Sequence, residues 1–371
     1  MKKVEELTSE QIDKIYEDFY EYVNSLAFGY GRADGAELVM LKRFYTPIDA
    51  LNVMDMPKDE FFTASQFAEI EGIGEIEAKT ILNDLAKRAN IYHEKDENGE
   101  DIYHVLPYAH GIYEFHTRWF EPDWLFKGLF PVLVANGDKP FSAGIPFYHA
   151  LPCGPEVVEG GEIPEQDDIW KILASKRRFA VCPCDCAATS RDMINPEACS
   201  HPTNVCIQTD AMADYYIDDI KTGKEITYEQ AKKILEHGIK SGLIVQTTFS
   251  KKNEIICSCA LCHCGILQGA KSFPGDACAN QSRYWLKYDP DICVKCGVCA
   301  KSCPMAAVSM GDDGRPVVDA SCVGCGQCVL ACPQDARILV RKDDVDIHEY
   351  AQDMWESYTW MEQHRRNKGT L

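Results

Sequence analysis

From Thr8 onward apolar residues recur on one helical face, at Ile12, Ile15, Tyr16, Phe19 and Tyr20. Gln11 stands in capping-box relation to Thr8, so residues 8–28 are predicted to open as a helix. A second apolar periodicity runs from Ala36 to Asn52 and is predicted to break or bend at Pro47, whose ring removes a helix hydrogen bond. Thr63 and Gln66 form another capping box before a short helix to Glu71. A Gly72-Ile73-Gly74 turn leads into a helix from Glu75 to Ala89, with Ile76, Thr80, Ile81 and Leu85 expected to face inward. Ile91 to Val105 alternates on either side of Asn98-Gly99, the signature of two strands around a tight turn.

Helix, turn, helix, hairpin is the order of a winged helix. Reading a major groove requires basic and amide side chains on the second helix. Here that helix sets Glu75, Glu77 and Asp84 against Lys79, Lys87 and Arg88, and the hairpin tip carries Glu94, Asp96, Glu97, Glu100 and Asp101. Phosphate repels such a surface, so a packing or partner-docking role is expected in place of DNA binding.

Residues 107–166 are rich in aromatics and proline, with a helix expected over about 111–135 and an extended, proline-stapled connection after it. His110, His116 and His149 show no ligand spacing and are expected as hydrogen-bonded core or rim residues. Asp167 to Arg178 is amphipathic, a capping box at Thr227 and Gln230 starts another helix, and Gly242 to Phe249 and Ile255-Ile256 read as strands. A strand from Ala336 to Arg341 precedes an aromatic helix containing Tyr350, Met354, Trp355, Tyr358 and Trp360. Its basic end, His364 to Lys368, is expected to be solvated and to complement the helix dipole.

At 371 residues the chain is long enough for two to four domains. Lys plus Arg number 38 against 58 Asp plus Glu, for a net charge of -20. That balance argues against nucleic acid as a partner and suits docking to basic patches on redox proteins. Met1-Lys2-Lys3 is followed by Val4-Glu5-Glu6-Leu7 in place of an apolar run, and the stretch from Leu125 to Ala135 is interrupted by Lys127, Gly128 and Pro131. Neither a signal peptide nor a membrane span is expected, so the 19 cysteines are read as thiols of a reducing, cytoplasmic compartment.

Eight of them fall in two copies of C-x2-C-x2-C-x3-C-P: Cys293, Cys296, Cys299, Cys303 and Pro304, then Cys322, Cys325, Cys328, Cys332 and Pro333. Three thiolates spaced by two residues wrap one cubane, and the fourth leaves on a short helix towards the other. Cys293, Cys296 and Cys299 are thus expected to share a cluster with Cys332, and Cys322, Cys325 and Cys328 with Cys303. Tetrahedral zinc has no use for a third cysteine at that spacing and a proline-marked fourth. The unit resembles the bacterial-type 2[4Fe-4S] ferredoxin domain, with Gly297, Gly324 and Gly326 where the chain turns round inorganic sulfide.

A second cysteine population lies upstream: Cys182, Cys184 and Cys186, Cys199 beside His201, Cys206, and then Cys257, Cys259, Cys262, His263 and Cys264. Thiolate-only ligation suits one or two further iron–sulfur clusters or a zinc. Cys182, Cys184, Cys199, Cys206, Cys257, Cys259, Cys262 and Cys264 are the candidate ligands, iron–sulfur is favoured over zinc because the same chain carries a ferredoxin-like domain, and His201 and His263 are lesser candidates. The order of these groups, with Gly111-Ile-Tyr-Glu-Phe115 and Pro146-Phe-Tyr-His-Ala-Leu-Pro152, is similar to 4Fe-4S ferredoxin-like proteins of anaerobic bacteria and archaea. Their pattern has Arg after the first C-x-C, whereas this chain has Asp185 and then Cys186, which leaves open which two of Cys182, Cys184 and Cys186 are ligands.

The sequence thus describes an α+β protein: a winged-helix-like domain over 1–108, a cysteine-rich middle domain over 109–285, a 2[4Fe-4S] ferredoxin domain over 286–345 and a C-terminal helix over 346–371. The expected role is single-electron transfer between cytoplasmic redox partners, and the composition leaves room for a homo-oligomer. A reductase with a substrate-binding middle metal and a redox-responsive winged-helix regulator are the rival readings. No catalytic residue is assigned. No G-x-G-x-x-G opening a helix after a strand, P-loop or S-x-x-K supports the reductase, and the acidic wing weighs against the regulator.

Overall fold

The computed structural model describes residues 7–26, 29–58, 60–116, 121, 124–135, 145–195, 197, 199–273, 283–342 and 349–368. The chain gathers into two compact units, one of Met1–Lys139, Asp214–Gly223 and Tyr358–Leu371, the other of Pro140–Ala213 and Lys224–Ser357. Among the described residues no helix is long and apolar enough to cross a membrane.

In the first unit, α1 (Ser9–Asn24) begins at a reciprocal Thr8–Gln11 box and buries Tyr16, Phe19, Tyr20 and Val23. The expected break at Pro47 separates α2 (Ala36–Phe44) from α3 (Pro47–Met54), and proline takes the first helical position, where its missing N–H costs nothing. Strand β1 (Phe62–Thr63), α4 (Ala64–Glu71), α5 (Glu75–Lys87), β2 (Ile91–Lys95) and β3 (Asp101–Val105) follow, with the three strands ordered β1-β3-β2 and antiparallel. The inward stripe of α5 is Ala78, Leu82, Leu85 and Ala86. Ile76, expected inside, is 87% exposed, and the exposed Thr80 turns its hydroxyl back to the Ile76 carbonyl at 2.8 Å. Two residues advance a helix by about 200°, so a face centred on Ala78 necessarily turns Ile76 to solvent. Of the four expected, Leu85 is buried and Ile81 half-buried.

Acidic residues of the hairpin are partly engaged inside this unit. Asp101 accepts from Lys79 and Lys95, both at 2.6 Å, and lies 3.1 Å from His93 Nε2, while Asp219 meets His93 Nδ1 at 2.8 Å. Burial lowers the pKa of His93, but the two carboxylates outweigh it and the net shift is upward. The Tyr215 hydroxyl donates to the Ile91 carbonyl at 2.7 Å, which fastens residues 214–223 to the strands.

The helix expected over 111–135 is not continuous. A single turn at Tyr113–Phe115 ends at His116, whose backbone leaves helical geometry and whose Nδ1 donates to the Ile112 carbonyl at 2.8 Å. Helical backbone resumes over Leu125–Leu129 and Phe130–Ala135; residues 117–120, 122–123 and the connection over 136–144 lie outside the described residues. His110, His116 and His149 are all buried. In the C-terminal helix Met354–Lys368 the basic end is not wholly solvated, because Arg365 is buried.

The second unit is built on a six-stranded antiparallel sheet, in the order β4 (Tyr148–Ala150), β8 (Ile244–Thr248), β9 (Ile255–Cys259), β6 (Cys206–Thr209), β5 (Phe179–Cys182) and β7 (Lys224–Ile226). The helix Tyr228–Lys240, opened by the Thr227–Gln230 box, lays Ala231, Leu235 and Ile239 against Val245, Ile207 and Ile256. On the other face Ile244 and Ala150 pack with Cys259, Cys264, Leu267 and Ala270. A strand covered on both faces reads as an unbroken run, and β8 is buried at all five positions.

The ferredoxin-like segment is welded into this unit. Its own pairs are β10 (Tyr284–Tyr288) with β13 (Arg337–Arg341) and β11 (Val308–Met310) with β12 (Pro316–Val318). Gln327 Nε2 donates to the carbonyls of Ile239 at 2.9 Å and Leu243 at 3.2 Å, and the Cys153 amide donates to the Cys325 carbonyl at 3.1 Å. The Tyr284 and Tyr350 hydroxyls both donate to buried Asp167, the former at 3.1 Å. His149 stands 3.8 Å from the same carboxylate, and burial lowers its pKa to about 4 despite that neighbour.

Two outcomes follow. Leu82→Ala should cost about 2–5 kcal/mol in urea denaturation of the whole chain, whereas Ile76→Ala should change stability by less than about 0.5 kcal/mol. As pH falls from about 6.5 to 4, the unfolded chain protonates His149 and the folded chain does not, so folding should lose up to about 3 kcal/mol beyond the loss of a His149→Gln variant. Equal pH slopes for the two proteins would refute this role.

Candidate metal centres

The paired cysteine runs fold into two short helices, Val298–Lys301 and Gln327–Leu330, each entered through a left-handed glycine, Gly297 at φ 72° and Gly326 at φ 81°. Gly326 is doubly constrained, since a Cβ there would lie 2.6 Å from Val157 Cγ2 and 3.2 Å from Cys153 Sγ. The thiols line two cavities. Cys293, Cys296, Cys299 and Cys332 line the first; Cys303, Cys322, Cys325 and Cys328 line the second.

The two cavities differ in surroundings. Cys296 is exposed and the first cavity is rimmed by Val294 and Met310, which are exposed too. The second is walled by Leu286, Met305, Val308, Val323 and Leu339, four of them buried. Burial raises the thiols of Cys322 and Cys325, and pushes Cys328 up to about 12. A bare proton on such a thiol is therefore hard to remove, whereas a coordinating metal removes it outright. Backbone amides reach the crossing cysteines, Ala307 N to Cys303 Sγ and Ala336 N to Cys332 Sγ, both at 3.3 Å. Each cavity thus offers four soft ligands, apolar walls and an N–H to sulfur, which fits a cubane.

The upstream cysteines owe their position to strand register. Cys182 on β5 pairs with Cys206 on β6, and the pairing of Ile207 with Ile256 brings Cys206 beside Cys257 on β9. Directly opposed residues of antiparallel strands share a face, so these three thiols form a row across the sheet. Cys259, two residues on, shares the face of Cys257. Gln208 Nε2 donates to Cys206 Sγ at 3.1 Å. Cys259 lies against both Cys257 and Cys264, and Cys186 against both Cys264 and Cys184. Cys186, omitted from the expected ligands, therefore stands between two of them.

Beyond this row, Cys199 and Cys262 converge on His263, whose Nδ1 lies 3.5 and 3.2 Å from their sulfurs, and His201 Nδ1 lies 3.6 Å from Cys262 Sγ. Burial raises the Cys199 thiol, but Cys262, His201 and His263 outweigh it and bring it down to about 6. Cys153 is the residue the motifs missed. It lies next to the second cavity, buried, with its thiol pushed up to about 12 chiefly by burial. Its only sequence signal is a proline on one side, Pro152, and a glycine on the other, Gly154.

Residues 286–347 match the 4Fe-4S dicluster domain family. Over 35 residues the chain is 49% identical to a probable ferredoxin of Methanosarcina thermophila, a stretch that covers 9% of this chain and 60% of that one. No solved structure matches the chain. The protein therefore carries a C-terminal iron–sulfur domain of ferredoxin type.

Proposed function

We propose that the chain is an electron-transfer protein in which the ferredoxin-type domain exchanges single electrons with redox partners and passes them to or from metal held by the middle cysteines. The observation that carries this reading is one apolar cluster. Cys257 and Cys259 of the sheet and Cys264 at the start of the helix Gly265–Ser272 share it with Cys303, Cys322 and Cys325 of the second cavity, through Leu267, Met305 and Val323. Thiols of two sequence groups thus border a single apolar cluster.

When bound, a [4Fe-4S] cluster takes up or releases one electron at a potential set by hydrogen bonds to sulfur and by exposure. Cys293, Cys296, Cys299 and Cys332 would hold one and Cys303, Cys322, Cys325 and Cys328 the other. Cys182, Cys184, Cys199, Cys206, Cys257, Cys259, Cys262 and Cys264 supply the middle ligands. The exposed side at Cys296 suits partner contact, and the apolar wall around the second cavity excludes water. Ala307 and Ala336 stabilise charge on sulfur through their N–H groups, and Gln208 does so at Cys206. The segment from Phe62 to Val105 is read as a protein-docking module of winged-helix order, since the exposed start of α5 presents Glu75, Ile76 and Glu77 in place of basic side chains.

Cys332→Ala is expected to damage the cluster of Cys293, Cys296 and Cys299 and to spare that of Cys322, Cys325 and Cys328. Magnetic resonance of the reduced protein, compared with Cys303→Ala, reads which signal is lost. Loss of the same signal in both variants would break the crossed assignment. Anaerobically prepared protein should also hold more than the roughly eight irons of two cubanes, and Cys259→Ala should lower the excess alone. Eight irons in wild type, unchanged by that variant, would end the proposal of a relay through the middle domain.

A further inference from the structure

The convergence at His263 differs in kind from the thiol row. The sulfurs of Cys199 and Cys262 and one ring nitrogen of His263 all lie within 4.8 Å of one another. In a tetrahedral site with Zn–S near 2.3 Å and Zn–N near 2.05 Å, a sulfur and a nitrogen are separated by about 3.6 Å. Three such edges are present, at 3.2, 3.5 and 3.6 Å, the last from His201 Nδ1 to Cys262 Sγ. A cubane takes each protein ligand on a different iron, at a different corner, so its ligands surround a volume. The ligand atoms of Cys199, Cys262 and His263 surround a point, and His201 reaches it from the Cys262 side.

Ligand chemistry and chain path agree with a single ion. Two thiolates with two imidazoles form a closed structural zinc set, softer than an oxygen site and harder than a thiolate-only one. The donors come from two short segments, Cys199-Ser200-His201 and Cys262-His263, the second lying in the turn between β9 and the helix Gly265–Ser272. His263 is 2% exposed, and its Nε2 has no hydrogen-bond partner among the described atoms. The Cys184 thiol also lies against this ring, which makes it the rival to His201 for a fourth place, and a buried imidazole set among three sulfurs is well satisfied as a ligand.

We propose that Cys199, His201, Cys262 and His263 bind one zinc-class divalent ion at a structural site separate from any iron–sulfur cluster on Cys182, Cys206, Cys257, Cys259 and Cys264. The site would pin the 199–201 loop to the turn after β9 and so keep the thiol row in place. It narrows the middle-domain ligand set, yet needs no electron transfer.

The test is metal analysis of the full-length chain, expressed with both iron and zinc and purified anaerobically. One zinc per chain is expected, and His263→Ala and Cys262→Ser should lose at least nine-tenths of it while the reduced spectra of the two ferredoxin clusters persist. His263→Cys should keep the zinc, which separates loss of a ligand from misfolding. Co2+ supplied in place of zinc should give the sulfur-to-metal absorption of a tetrahedral thiolate site, lost in Cys199→Ser. Zinc below a tenth per chain, or zinc retained in every variant, overturns the site. Iron falling in His263→Ala reassigns these residues to a cluster and overturns it too. Zinc lost in Cys184→Ser but kept in His201→Ala overturns the choice of His201 as the fourth ligand. If iron stops at eight while one zinc responds as expected, the relay fails and this site stands.

Discussion

The register of three short strands is the constraint on which the middle of this protein depends. Cys182, Cys206 and Cys257 stand in line only because β5, β6 and β9 pair as they do, and a slip of one residue in β6 would carry Cys206 to the opposite face. That face would place a thiol against Val245 and Leu235, in the aliphatic layer beneath the helix Tyr228–Lys240. Burial of Ile207 and Ile256 in that layer therefore holds the cysteines where they are. The hydrophobic pattern does the positioning, and the sulfur chemistry inherits it.

What could be read from the sequence followed the range of the signal. Capping boxes at Thr8, Thr63 and Thr227 are contained within four residues and each marks a helix start in the structure. The two C-x2-C-x2-C-x3-C-P runs are local in the same sense, and they carry the likeness to a dicluster domain. The phase of α5 was less legible. Ile76 is as apolar as Leu82, and only the neighbouring strands decide which of them is covered. The middle cysteines were legible as a population and not as a geometry, because C-x-C says that two thiols are close and nothing about what lies across a sheet. Cys153 and the pairing of His263 with Cys199 depend on contacts spanning many residues, with no repeated spacing to announce them, and the approach of Cys186 to Cys264 is of the same long range.

The ferredoxin-type segment also departs from the picture of an appended module. Tyr284, Cys299, Val308, Cys328, Val329 and Leu339 belong to the same apolar cluster as Ile169, Leu173 and Leu235, and Gln327 satisfies carbonyls at the end of the helix Tyr228–Lys240. Two carbonyls at a helix end would otherwise need water or another donor. Removing the segment would expose that end together with the face of the sheet that carries Ile244 and Cys259.

This shared core has a consequence for how the protein is made. The ribosome releases Cys182 through Cys264 well before Met305, Val323 and Cys325, which form one wall of the layer around Cys259 and Cys264. Until those later residues emerge, that sheet face is covered by Leu267 and Ala270 of the helix Gly265–Ser272 without the wall that Met305 and Val323 add. Completion of the C-terminal segment then closes the layer. Synthesis order thus leaves that side of the layer uncovered until the ferredoxin-type segment is made, and a chain that stalls before residue 305 would leave oxidisable thiols beside it.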